Sequence, residues 1–167
     1  MRENYTVDLQ MMMMMMMGDG GGGGGHVIST RDYNRRIVVD PGRRTVEADA
    51  GVELRRLVDV AAAHGLALPY APYWAGVSVA GLISTGAHGS SLHQKGGAVH
   101  EYVVGMRIVV PATPQEGYAR VVAMAEEEGG DQEELLNAAR VSLGVLGAIS
   151  TVSHRISLVF DFIQYSL

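Results

Sequence analysis

Between Gly76 and Gly97 the chain reads GVSVAGLISTGAHGSSLHQKGG, with six glycines, four serines, one threonine and two histidines in twenty-two residues. Lys95 is the sole charged side chain in it. Where Cβ is missing, main-chain N–H groups can approach another surface closely. Ser78, Ser84, Thr85, Ser90 and Ser91 add hydroxyls that can donate to anionic oxygens. A concave run of such donors holds phosphate without much positive charge. Composition alone fits a ligand-free surface loop equally well. The apolar segments on either side, LALPYAPYWAG before and AVHEYVVGMRIVVPA after, argue against a flexible linker.

The remaining 26–157 stretch has the texture of one domain. His26–Thr30 and Ile37–Asp40 read as short β runs, Pro41-Gly42 as a turn, and Thr45–Ala50 as the partner strand of a hairpin. Over Val52–His64, Leu54, Leu57, Val58 and Ala61 recur at helical spacing, with Glu53, Arg55, Arg56 and Asp59 facing outward and Gly65 placed to end the helix. The two prolines of Leu66–Trp74 predict extended chain. Val77–Thr85 reads as a short buried helix of small residues. Glu101–Val110 reads as a long strand with a possible bulge at Gly105, and Pro111–Glu116 as a loop. Tyr118–Ala125 and Ala148–Ile156 are further strands, and Asp131–Ala139 is a helix behind a solvated acidic run.

Residues 1–25 are compositionally foreign. Met11–Met17 is a seven-methionine run, followed by a glycine run to Gly25, and the segment reads as a translated triplet repeat. Gly18–Gly23 satisfies G-x-G-x-x-G, as any glycine run does, but lacks the strand before and the helix after. The last residues, 158–167, form a tail that matches nothing.

The chain has 167 residues, enough for one core. A net charge of −5 argues against nucleic acid as a main partner. There is no cysteine, so neither disulfides nor thiolate chemistry can be proposed. No apolar run is long enough to span a membrane, and the N-terminus lacks a secretory-signal pattern. His88, His93 and His100 are spaced by five and seven residues, which fits no standard zinc pattern, so no metal site is expected. Gly76-Val77-Ser78-Val79-Ala80 misses G-x-S-x-G at its last position.

Gly76–Ser91 followed by Gly96–Gly105 resembles the second half of the FAD-binding domain of plant L-gulonolactone oxidases. These are aldonolactone oxidoreductases of the vanillyl-alcohol-oxidase, or PCMH, type. VEADAGVELRRLV, LALPYAPYWAG and RVSLGVLGAIS at Arg140–Ser150 extend the resemblance in the expected order. It implies an α+β fold, an incomplete PCMH-type FAD-binding domain with a mixed sheet flanked by helices. FAD is the implied cofactor, with a sugar lactone and oxygen as the partners of full-length relatives. Carried over by position, Ser78, Val79, Gly81, Ser84, Thr85 and Gly86 inherit contacts to the pyrophosphate and ribityl chain. His88, Gly89 and Ser90 continue toward the isoalloxazine ring, and Gly147 and Ile149 resemble a second main-chain contact. Ala80 stands where many relatives have glycine. Tyr70, Tyr73 and Trp74 are placed either near the flavin or in the core.

Two departures bear on activity. Relatives carry a loop with a His-Ser pair that grips the pyrophosphate, and in many its histidine is bonded to the flavin; here the methionine and glycine runs stand there. His26 falls in the following strand and is not that histidine. The relatives' large substrate domain has no counterpart in this sequence, so the catalytic residues are unknown. The chain alone is expected to bind FAD weakly or not at all and to show no turnover.

Overall fold

The computed structural model describes residues 28–90, 96–126 and 130–158. The expectations for residues 1–25, His26 and His93, and those for the tail beyond residue 158, lie outside them.

The first hairpin forms where alternation meets a turn. β1 (Ile37–Asp40) pairs antiparallel with β2 (Thr45–Asp49), Asp40 opposite Thr45. The Asp40 side chain accepts the Arg43 N–H at 2.9 Å, closing the turn. Val46 and Ala48 of β2 point into the core, while Thr45 and Glu47 on the other face are half-buried.

Helix α1 (Leu54–Ala63) follows, burying Leu54, Leu57 and Ala61 along one stripe. It stops at Gly65, whose φ of +71° is a left-handed conformation that glycine adopts without a Cβ penalty. β3 (Leu66–Ala67) is only two residues long, consistent with the extended chain that the prolines predict. Helix α2 (Val79–Ser84) lies inside the predicted 77–85 span, with Val79, Leu82 and Ile83 buried.

A 3₁₀ turn at Val99–Tyr102 leads into β4 (Val103–Pro111), and a second at Pro114–Glu116 interrupts the following loop. β5 (Ala119–Ala125), α3 (Asp131–Ala139), β6 (Ala148–Arg155) and β7 (Ser157–Leu158) complete the order. The main sheet runs β1-β2-β6-β4-β5, and β3 pairs with β7 separately. The β4–β6 register shifts between Val103 and Gly105, where the bulge was expected.

The fold is α+β, with a correction to the sheet. Every neighbouring pair in it is antiparallel, where the resemblance implied a mixed sheet. The two hairpins, β1–β2 and β4–β5, are separated by β6, which enters between β2 and β4. Residues 28–30 differ too, because they are not strand. The Thr30 carbonyl accepts the Tyr33 N–H at 2.9 Å in a turn, and the Tyr33 carbonyl accepts the Gly51 N–H at 2.8 Å. The segment spends its carbonyls on that turn and on Gly51 instead of on a sheet neighbour.

The core lies between the sheet and the helices. Leu54, Leu57, Leu82, Ile83, Leu136 and Ile156 are wholly removed from water there. Each contributes about 1.5–3 kcal/mol relative to an exposed side chain. His154, at the β6 position paired with Val46 and Val103, is buried among them with neither ring nitrogen hydrogen-bonded.

Candidate cofactor site

Ser78 opens α2 as its N-cap, accepting the Gly81 N–H on its hydroxyl at 3.2 Å. The two intervening amides are also used. Val79 N–H donates to the Val52 carbonyl at 2.8 Å and Ala80 N–H to the Ala50 carbonyl at 2.9 Å. These bonds tie α2 to the segment that links β2 to α1. The amides at the start of the helix therefore face protein acceptors.

The far end of α2 is different. Thr85 is exposed, its hydroxyl donating to the Gly81 carbonyl at 2.8 Å. Gly86 turns the chain with φ of +65°. His88 and Ser90 are exposed. Gly89 and Gly97 hold this segment against the protein. Gly89 N–H donates to the Gly97 carbonyl at 2.7 Å, and a Cβ on Gly89 would stand 2.5 Å from the Ala71 carbonyl oxygen. From Gly76 to Ser90 there is no acidic side chain to oppose an anion.

The second predicted block packs against the first. Leu143 N–H donates to the Ser84 carbonyl at 3.1 Å. The Val141 methyl groups lie 3.0–3.3 Å from where a Gly86 Cβ would be. Val141 and Leu143 both hold positive φ, +57° and +54°, an uncommon conformation for bulky residues. Leu143, Val145 and Leu146 nevertheless project from this loop with 71%, 83% and 43% exposure. A strained apolar loop left open to solvent marks a contact surface. Gly147, with φ of +146°, passes so close to β4 that a Cβ would sit 2.5 Å from the Val109 carbonyl oxygen. Ile149 is buried in the core and pairs with Ile108.

The structure thus brings Ser84, Thr85 and Gly86 together with the loop that runs to Gly147, and keeps His88, Gly89 and Ser90 on the adjoining rim. Ser78, Val79 and Gly81 lie at the opposite, capped end of α2. Of the three aromatic residues, Tyr70 is buried against Tyr102 with ring centroids 5.4 Å apart, while Tyr73 and Trp74 are on the surface.

A family profile described as an FAD binding domain matches residues 14–113. The chain belongs to that family. FAD is therefore its cofactor, and the match begins inside the methionine run that composition sets apart. L-gulonolactone oxidase 3 of Arabidopsis thaliana is 52% identical over 134 residues, covering 80% of this chain and 22% of the relative. L-galactono-1,4-lactone dehydrogenase of Brassica oleracea is 30% identical over 115 residues, covering 69% of this chain and 17% of the relative. This chain thus spans about a fifth of the length of the curated relatives that it matches. Among solved structures, a solvent-stable cholesterol oxidase superposes with a TM-score of 0.66 at 18% identity, covering 78% of this chain and 25% of the other. A cholesterol oxidase from Brevibacterium sterolicum gives 0.62 at 19%, covering 75% and 24%. These two likenesses show the fold.

The far end of α2 presents exposed Thr85, His88 and Ser90, whereas the amides at its beginning are hydrogen-bonded within the protein. Among the described residues, no helix is long and apolar enough to cross a membrane. The strained loop, the close approach at Gly51 and the buried His154 were not anticipated from sequence; an apolar run of uncommon φ has no compositional signature.

Proposed function

We propose that residues 26–157 supply one wall of the FAD site of an aldonolactone oxidoreductase, with the Thr85–Ser90 rim and the Val141–Gly147 loop facing the cofactor. The observation that carries this reading is the Leu143–Ser84 hydrogen bond, which joins the two blocks that the resemblance assigns to the flavin. Ser84, Gly86, His88, Gly89 and Ser90 line the rim and carry no negative charge of their own. Gly147 and Ile149 set the far end of the loop. Ser78, Val79 and Gly81 act one step back, because they fix the helix that presents the rim.

When bound, FAD supplies the two-electron acceptor for oxidation of a sugar lactone at carbon, and oxygen takes the electrons afterwards. The substrate class rests on the lactone-oxidising relatives named above. The chain's own residues position the cofactor. Weak affinity is expected, because a charge-assisted hydrogen bond contributes roughly 1.5–3 kcal/mol and the relatives' His-Ser loop is replaced.

Flavin-fluorescence titration of the purified chain tests the reading. Saturable quenching by the wild type, weakened about tenfold or more in His88→Asp and Ser90→Asp, is expected. Quenching that is indifferent to both substitutions, while circular dichroism shows both variants folded, would remove the rim from the cofactor site.

A further inference from the structure

The main sheet has two borders, and they are defended unequally. β1 at one border is four residues long and ends on Asp40. β5 at the other is seven residues long, contains no proline, and pairs with β4 without a register shift. Arg120 is its one charged residue. Sheets are normally blunted at a border by short strands, prolines, bulges or several charges, and β5 has little of this.

The register fixes which backbone groups of β5 face outward. Ala112 N–H donates to the Tyr118 carbonyl and Glu126 N–H to the Val104 carbonyl, so the hydrogen-bonded pairs of the β4–β5 ladder fall on even-numbered residues. Ala119, Val121, Ala123 and Ala125 therefore turn N–H and C=O away from β4. No described backbone group pairs with them there. The side chains of Val121, Ala123 and Ala125 are exposed as well.

We propose that β5 joins β5 of a second copy of this chain, antiparallel about a two-fold axis at Ala123, so that the two sheets become one. The strand is self-complementary in this register, as a two-fold interface requires. Outward-facing residues meet outward-facing residues: Ala123 lies opposite its own copy and Val121 opposite Ala125, for about six backbone hydrogen bonds. Val122 lies opposite Met124, apolar against apolar. Arg120, which makes no ion pair among the described residues, lies opposite Glu126. That pair is not bonded through the backbone, which is where facing side chains come closest. Glu126 accepts Arg155 Nη2 on Oε2 at 2.6 Å, and its Oε1 remains for the second copy's guanidinium. An axis at Val122 or Val121 would instead set Arg120 against Met124 or Val122, taking a cation out of water without a partner.

Sedimentation velocity of the purified chain over a concentration series tests the proposal. A monomer–dimer equilibrium is expected, weakened at least tenfold in Ala123→Pro. Proline there removes an outward N–H and leaves the β4 ladder whole, so circular dichroism should show the variant folded. Should it fail to fold, Ala123→Lys takes its place with the same expected loss, because it sets like charges across the axis at an exposed position. Ala123→Cys reads the register, since the chain has no cysteine of its own. The two substituted α-carbons would lie about 5.5 Å apart and an intermolecular disulfide should form on mild oxidation. Ala119→Cys would hold them about 27 Å apart and should remain uncrosslinked. A chain that stays monomeric, association indifferent to the substitutions at residue 123, or equal cross-linking from residues 119 and 123 would overturn the proposal.

Discussion

Replacing His154 with leucine should remove much of this protein's sensitivity to acid. The imidazole is fully buried and neither nitrogen has a hydrogen-bond partner, so burial pushes its pKa down from 6.5 to about 4. In the unfolded chain it takes up a proton near 6.5, whereas in the folded chain it resists until about 4. The folded state holds fewer protons between those values, so stability is full above pH 6.5 and is lost as pH falls through about 4. At about 1.4 kcal/mol for each tenfold change, the gap corresponds to about 3 kcal/mol, a large part of a small domain's stability. Leucine is similar in volume and carries no orphaned polar atom, so at pH 7 His154→Leu should be neutral or stabilising. Urea unfolding followed by circular dichroism at pH 7, 6, 5 and 4 measures the difference. The wild type should lose about 3 kcal/mol more than the variant across that range. Parallel pH curves for the two proteins would refute the reasoning. His100, also lowered by burial, is retained in both and so cancels.

Two further outcomes follow from backbone geometry. Gly51→Ala should lower the thermal midpoint by more than 10 °C or prevent folding, on the order of 3 kcal/mol or more, because the added Cβ would lie 1.8 Å from the Thr30 carbonyl oxygen and 2.7 Å from that of Tyr33. Leu143→Gly should raise stability by up to about 1 kcal/mol in urea melts, since it relieves a positive φ at an exposed side chain and this gain exceeds glycine's entropic cost.

The hairpin, the three helices and strands β4, β5 and β6 were legible because each is written in local periodicity and turn residues. α1 and α3 fall where the spacing of Leu54, Leu57 and Ala61 and the Asp131–Ala139 run place them. Order within the sheet was not legible, because β6 pairs with strands about forty and about one hundred residues away, and such pairing leaves no local mark. The same holds for Gly51, whose need for a bare α-carbon comes from carbonyls at Thr30 and Tyr33. At the candidate site, composition pointed to a small-residue surface and resemblance named the residues. Neither could tell that the Val52 and Ala50 carbonyls take up the amides at one end of α2 and leave the other end open. Tyr70 and Trp74 are alike in sequence context, yet one is packed on Tyr102 and the other faces water.

The placement of β6 has a consequence for how the protein is made. Until residues 148–155 leave the ribosome, the nascent polypeptide holds two separate ribbons, β1–β2 and β4–β5, whose facing borders have no mates. A chaperone that shields extended backbone would find its target in that interval, and a polypeptide released at residue 147 would join other copies of itself through those borders.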